Sequence, residues 1–430
     1  MRRTILIPLI LLLAAPPALS ASRPQPAPPV EVLVTQALER SPALAARRAA
    51  LEAALQMESP ASALPDPMVE AMFQNVEFPD YTLGEMDMSM AGVELRQGLP
   101  YPGKRRARGD AARAETELRA AELAAEERRV AAEVRSLYAK LYAIDHERKS
   151  LTAARELVDL LSTTAAARYS AGGGEQESIL KAQLQASRLG EELDDLDAER
   201  AAMVAELNRW LDRPGDSPLG IVAELPAVGA PDGQVETAAL EASPEVRTAR
   251  AVIAAAERRL AVARLDLKPD FVPSAGIASR GSLGAVLTLR FGVELPFWKK
   301  QKQEPMIRAA EQEIEMARGE LRDAEAMVRA ETASLAARWR QSELQIVRFR
   351  QAIVPQSSAA LDAARASYVA GRGDFSTVVE DFDMWLEARV QLARREADRF
   401  SAWAGLQRLT GAPVPPTSPA EAEKTAAKED

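Results

Sequence analysis

The chain has 430 residues, 47% of them apolar, and carries a formal charge of −9 with no cysteine. That charge excludes a nucleic-acid partner on electrostatic grounds, and the missing cysteines exclude disulfides, thiolate metal sites, a thiol nucleophile and an N-terminal lipidated cysteine. Aromatics make up only 5% while alanine is abundant, a mixture that suits long, closely packed helices better than one thick globular core.

Arg2 and Arg3 precede an apolar run, residues 5–13, interrupted only by Pro8, and Ala18-Leu19-Ser20 places small residues where a signal peptidase reads. Residues 1–20 therefore read as a secretory signal peptide cleaved after Ser20. The run is too short for a membrane anchor, and its removal takes the formal charge from −9 to −11. No later stretch offers eighteen apolar residues, so a membrane role has to come from strands or from surface contact.

The remainder is written twice. Ser41-Pro42 returns as Ser243-Pro244, a shift of 202, and Gly92-Val93-Glu94-Leu95 returns letter for letter as Gly292-Val293-Glu294-Leu295, a shift of 200. Tyr169-Ser-Ala-Gly172 returns as Tyr368-Val-Ala-Gly371, and Leu207 as Leu406, both at a shift of 199. The expected organisation is a first repeat over 21–211, a Pro/Gly-rich linker over 212–234, a second repeat over 235–411 and a disordered tail over 412–430. Each repeat should run helix, strand, strand, very long helix, turn, helix.

In the first repeat, strands are expected over 68–78 and 86–97, with Val69, Ala71, Phe73, Val93 and Leu95 on one face. The long helix follows over 104–168, on the order of 100 Å at 1.5 Å per residue. Val130, Leu137, Ile144, Leu151 and Val158 fall at seven-residue steps, with Val134 and Leu141 between them, the spacing of a left-handed coiled-coil seam. In the second repeat the strand over 283–295 alternates with period two: Leu283, Ala285, Leu287, Leu289, Phe291, Val293 and Leu295 on one face against the largely polar or small Gly284, Val286, Thr288, Arg290, Gly292 and Glu294. Its partner over 271–279 alternates less cleanly and contains Pro273. The second coiled-coil seam, Leu335, Trp339, Ile346, Phe349 and Ile353, is weaker. Four amphipathic strands cannot close a barrel within one chain, and an open edge is not tolerated in lipid. Several copies must share one barrel, and three would supply twelve strands around a pore.

Two strand-to-helix junctions mark the membrane surface: Pro100-Tyr101-Pro102-Gly103-Lys104-Arg105, and Pro296-Phe297-Trp298-Lys299-Lys300. Proline ends the ladder, aromatics suit the lipid–water boundary, and Lys or Arg beyond them reach water. Here the chain resembles the TolC-type outer membrane factor family, over about residues 30–411. The first junction is most similar to the branch that serves heavy-metal pumps.

The resemblance implies a mainly α protomer with a small membrane β part: a tandem-duplicated fold giving four strands to a trimeric twelve-stranded β-barrel, continued by long coiled-coil helices across the periplasm. It implies the outer membrane as location and a passive exit duct as function. The implied partners are two further copies, outer-membrane lipid, a periplasmic adaptor and an inner-membrane transporter. The helix–turn–helix tips, Tyr169, Gly172 and Gly174 in one repeat and Tyr368, Gly371 and Gly373 in the other, would dock the adaptor. Tyr368, Arg372, Asp374, Glu380 and Asp381 would form the closing aperture, although Arg372 stands one place from the family's usual arginine. Glycine supplies the positive φ that ends a helix, and Asp374 can cap the next one.

Other features imply little chemistry. His146 is the only histidine; it sits in the long helix between Asp145 and Glu147 and reads as a surface residue of that helix rather than a ligand or base. Met57, Met68, Met72, Met86, Met88 and Met90 cluster early; Met72 and Met86–Met90 fall on the strand face that would line the lumen. Their thioethers would suit Cu(I) or Ag(I), and equally ordinary apolar filling. No phosphate loop or nucleophile motif is present, so neither catalysis nor a cofactor is expected. The competing readings are a periplasmic adaptor, which normally carries one coiled-coil hairpin, and a secreted structural coiled coil.

Overall fold

The computed structural model describes residues 25–411, apart from 77, 78, 80–82, 84, 86, 87 and 232. The expected signal peptide and tail, and Phe78 and Met86 of the expected strands, lie outside the described residues.

The first repeat runs α1 (Val30–Arg40), α2 (Pro42–Ser62), β1 (Met68–Gln74), β2 (Met90–Arg96), α3 (Lys104–Ser170) and α4 (Gln176–Trp210). The second runs α5 (Val235–Ala242), α6 (Pro244–Leu265), β3 (Asp270–Ser279), β4 (Ala285–Glu294), α7 (Gln303–Arg348), α8 (Val354–Val369) and α9 (Phe375–Thr410). The repeated Ser-Pro opens a helix each time, with proline in the first turn where its missing N–H costs nothing. Ser243 Oγ also accepts from the Val246 N–H at 3.1 Å, whereas Ser41 makes no side-chain cap.

All seven seam residues of α3 are buried, from Val130 to Val158. They feed two apolar cores. One sits midway along the molecule, where α1, α3, α4 and α9 meet Leu219 and Val222 of the inter-repeat segment. The other lies toward the helical tips, among α3, α4, α8 and α9. The inter-repeat segment is fastened by buried Asp145, which accepts from Arg200 at 2.6 Å and from the Val222 N–H at 2.8 Å.

The expectation of one unbroken long helix in the second repeat is corrected. Residues Phe349–Ile353 form a π segment between α7 and α8. Pro355 follows immediately: it has no N–H and its ring clashes with the carbonyl four residues back, so the helix widens just before it. The corresponding stretch of α3 has no proline and stays α-helical.

Three of the four strands are shorter than expected, while β3 starts one residue early, at Asp270. β1 ends at Gln74, where Asn75 adopts φ 50°, and β2 starts at Met90, after Met88 at φ 63°. β4 begins at Ala285 because a 3-10 turn, Gly281–Leu283, and Gly284 at φ 88° occupy the preceding residues. The four strands form one antiparallel sheet in the order β1-β2-β3-β4, so β1 and β4 are its edges. The two repeats join between β2 and β3, where Val93 pairs with Ile277.

Candidate functional site

The sheet separates chemistry by face. The registers Val69↔Leu95, Val93↔Ile277 and Ile277↔Leu287 place apolar side chains side by side across all four strands. These groups are exposed in the protomer: Leu287 by 70% and Leu289 by 73%, with Phe73, Val93, Phe291 and Val293 also open. Fully burying one such side chain is worth about 1.5–3 kcal/mol, so leaving nine of them in water would cost on the order of 10 kcal/mol. The face asks for lipid.

The opposite face carries Glu70, Glu94, Arg96, Arg290 and Thr288. Glu94 is only 4% exposed and pairs with Arg290, while Arg96 reaches Glu70 at 3.0 Å. Gly92, from the repeated Gly-Val-Glu-Leu, fits because a Cβ there would meet the Ile277 carbonyl oxygen at 2.3 Å. At Gly292 the same position has ordinary clearance, so the two copies of the motif are not under the same constraint. Met68, Met72 and Met90 lie on this polar face, with Met72 opposite Gly92 and Met90 opposite Gln74. Met88 stands before β2 in the left-handed region, and Met86 is outside the described residues.

The two junctions sit at one height, because Leu99 bridges Phe271 and Phe271 pairs with Val293. Pro296 is half-buried, and Phe297 and Trp298 are exposed by 81% and 73%. The first junction differs from expectation. Lys104 does not reach water: it is buried, 2.9 Å from Asp270, and donates to the Lys268 carbonyl at 2.9 Å. The half-buried Tyr101, between Pro100 and Pro102, gives its backbone N–H to Asp270 at 2.7 Å. Gly103, at φ 97°, makes the turn into α3. Asp270 thus ties the start of β3 to the start of α3.

At the far end, both Tyr-x-Ala-Gly turns close the same way. Gly172 and Gly371 have φ 77° and 75°, and the next N–H reaches back to the carbonyl five residues earlier at 3.0 Å. Gly174 is tight, since a Cβ would lie 2.8 Å from the Tyr169 nitrogen. Tyr169 is half exposed, whereas Tyr368 is 4% exposed and packs edge-on against Phe375 at 5.5 Å. Asp374 precedes α9 but makes no capping hydrogen bond, a correction: its side chain stays in solvent.

Sequence reasoning missed Arg168. It donates to the Tyr368 carbonyl, lies 4.5 Å over the Tyr368 ring, and donates to Gly173 at 3.3 Å. Its only sequence signal is a cation in the last turn of α3, just before the repeated tyrosine. Lys181 to Ser376 (2.9 Å) and Gln185 to Asp383 (3.1 Å) add two more bridges between the hairpins. A cleft of about 390 Å³ lies between the tips, lined by Arg168, Lys181, Tyr368, Arg372, Gly373 and Asp374. Arg372 and Glu380 are exposed and Asp381 is half-buried; among the described residues none of the three forms an ion pair within the protomer.

His146 sits midway along α3, its ring 4.0 Å from that of Tyr142, with Nδ1 against the Tyr142 carbonyl at 3.0 Å. The Tyr142 hydroxyl donates to Glu396 at 2.5 Å; burial, reinforced by that carboxylate, pushes the phenol above its ordinary pKa. Among the described residues no helix is long and apolar enough to cross a membrane, and no cluster of His, Asp and Glu could hold a metal.

A membrane sheet from two duplicated hairpins, carried on periplasm-length coiled coils, defines a channel protomer. The family model described as outer membrane efflux protein matches residues 33–211 and 237–412, and the chain belongs to that family. It is an outer-membrane efflux channel extending into the periplasm. Its fold is similar to the outer-membrane channel OprN (TM-score 0.76, 18% identity, 90% of this chain and 91% of that one). It is also similar to VceC from Vibrio cholerae (0.75, 19%, 89% and 96%) and to the CmeC outer-membrane channel of Campylobacter jejuni (0.75, 14%, 92% and 89%). Among curated proteins, none matches the sequence.

Proposed function

We propose that three copies close one twelve-stranded barrel and form the passive exit duct of a tripartite pump. The observation that carries this reading is the sheet itself: four strands, one face of exposed apolar side chains, and two edges with no partner strand among the described residues. Edge pairing between β4 of one protomer and β1 of the next satisfies every strand, and twelve strands leave room for a polar lumen. Glu70, Glu94, Arg96 and Arg290 then line that lumen.

In this reading residues 1–20 direct secretion, 21–211 and 235–411 are the two repeats, 212–234 join them, and 412–430 form a tail. The Tyr169–Gly174 and Tyr368–Gly373 tips dock a periplasmic adaptor, and an inner-membrane transporter supplies energy and selects the cargo, metal cations or small toxic molecules. The aperture forms where the threefold brings together Arg372, Asp374, Glu380 and Asp381. Tyr368 acts from within, positioning the second tip against Arg168. The test is reconstitution of the purified full chain in planar bilayers: discrete conductance steps support the duct, and their absence from protein that carries the detergent-resistant assembly refutes it.

A further inference from the structure

We propose that the belt of junctions between barrel and helical tube binds the phosphate headgroups of anionic phospholipids in the periplasmic leaflet. This rests on the barrel placement above. The apolar row Leu287, Leu289, Phe291, Val293 and Leu295 is exposed, and past the half-buried Pro296 the turn presents Phe297 and Trp298, also exposed. Lys299, Lys300 and Lys302 follow directly; all are exposed, and none forms an ion pair with a described residue. The other junction stands at the same height through the Leu99–Phe271 bridge and the Phe271–Val293 pair. There Arg105, Arg106 and Arg108 follow Lys104, whose own charge is consumed by Asp270. Arg105 donates to the Ser62 carbonyl and Arg106 reaches Asp110 only at 4.0 Å.

Six cations thus gather in two short segments of a chain whose formal charge is −9. The arrangement is a two-part recognition surface: acyl chains against Phe297 and Trp298, and a phosphate held by the lysines one turn of chain further on. Basic clusters at a membrane boundary favour anionic over zwitterionic headgroups. Continuity with the lipid-facing strand row commits the belt to a lipid rather than to a soluble partner.

Trp298 reports on the site. Trp210 and Trp339 are buried, and Trp385 and Trp403 pack on Phe382 and Phe400, leaving Trp298 as the open tryptophan. The full-length assembly is reconstituted into bilayers in which brominated phosphatidylglycerol or brominated phosphatidylcholine quenches tryptophan on contact, with Trp298→Phe identifying its share. Phosphatidylglycerol should be preferred about threefold or more. Lys299→Gln with Lys300→Gln and Lys302→Gln should bring the ratio near one. In the unaltered protein it should also fall as salt shortens the Debye length from about 10 Å to about 3 Å. Inorganic phosphate at constant ionic strength should leave the preference intact, whereas displacement by it would overturn the lipid as the source. Quenching by both lipids with no preference, or a preference untouched by the triple substitution and by salt, overturns the proposal while leaving the barrel placement standing. Absence of quenching by either lipid overturns both.

Discussion

Replacing Leu289 by arginine places a guanidinium near the middle of β4, on the face that already exposes Leu287 and Phe291. Its cross-strand partner is Ala275, which offers no carboxylate. An arginine on the lipid face near the bilayer midplane costs about 2–4 kcal/mol, and three copies in one barrel would lose roughly 6–12 kcal/mol. Thr288→Arg introduces the same side chain one position away on the other face. Thr288 is half-buried opposite Gly276 on the face that also carries Glu94 and Arg290, so the new cation points into the polar lumen and away from lipid. The assay is the yield of detergent-resistant assembly in the outer-membrane fraction, together with its thermal dissociation. Leu289→Arg should nearly abolish the assembly, and Thr288→Arg should leave it close to that of the unaltered chain. Equal losses, or a worse outcome for Thr288→Arg, would refute the inside–outside assignment.

At the tips, Arg372→Glu should raise single-channel conductance, and Glu380→Gln with Asp381→Asn should lower cation selectivity in planar bilayers. Individual exposed pairs are worth only about 0–1 kcal/mol, so threefold repetition carries the effect. Arg168→Ala removes a cation–π contact of about 0.5–1 kcal/mol and a charge-assisted hydrogen bond of about 1.5–3 kcal/mol. Amide exchange over residues 368–376 should therefore accelerate more than tenfold, and unchanged exchange would show that the latch is idle. At the junction, Lys104→Met leaves Asp270 with the Tyr101 N–H and only the more distant charge of Arg108, and should destabilise the assembly by about 2–3 kcal/mol in thermal dissociation. Wild-type stability would contradict that role.

Acid should weaken α3 locally. The Arg129 side chain beside Glu126 holds its carboxyl below the usual range, reference value 4.5. The contribution is present above that value and lost as pH falls through the lowered one. Glu126→Gln should flatten the acid limb below about pH 4.5 by roughly 0.3–0.5 kcal/mol, measured by melting in detergent, and should leave the neutral-pH slope unchanged.

The architecture was legible because its signals are long-range and periodic. The α3 seam repeats every seven residues, and all seven of its side chains are buried. The β4 alternation has period two, and its apolar residues from Leu287 to Val293 are all exposed. Signals confined to one backbone angle were not legible. Asn75 and Met88 end and delay strands whose side-chain pattern runs on, and Gly284 delays β4. Pro355 was visible, but a helix can absorb a proline by ending, kinking or widening, and periodicity alone does not choose the π segment. At the junction, Lys104 read as one more solvated cation because its partner Asp270 is 166 positions away in sequence and adjacent only through the sheet. Arg168 escaped for the same reason: the Tyr368 carbonyl that it holds belongs to the other repeat.

The central claim is that three copies of this chain share one barrel. The most direct measurement is an electron cryomicroscopy reconstruction of the full chain in a lipid nanodisc. It should show threefold symmetry, twelve strands with β4 of each protomer paired to β1 of the next, and Leu287 and Leu289 facing lipid. A water-soluble monomer whose apolar sheet face is covered by its own chain would contradict the account.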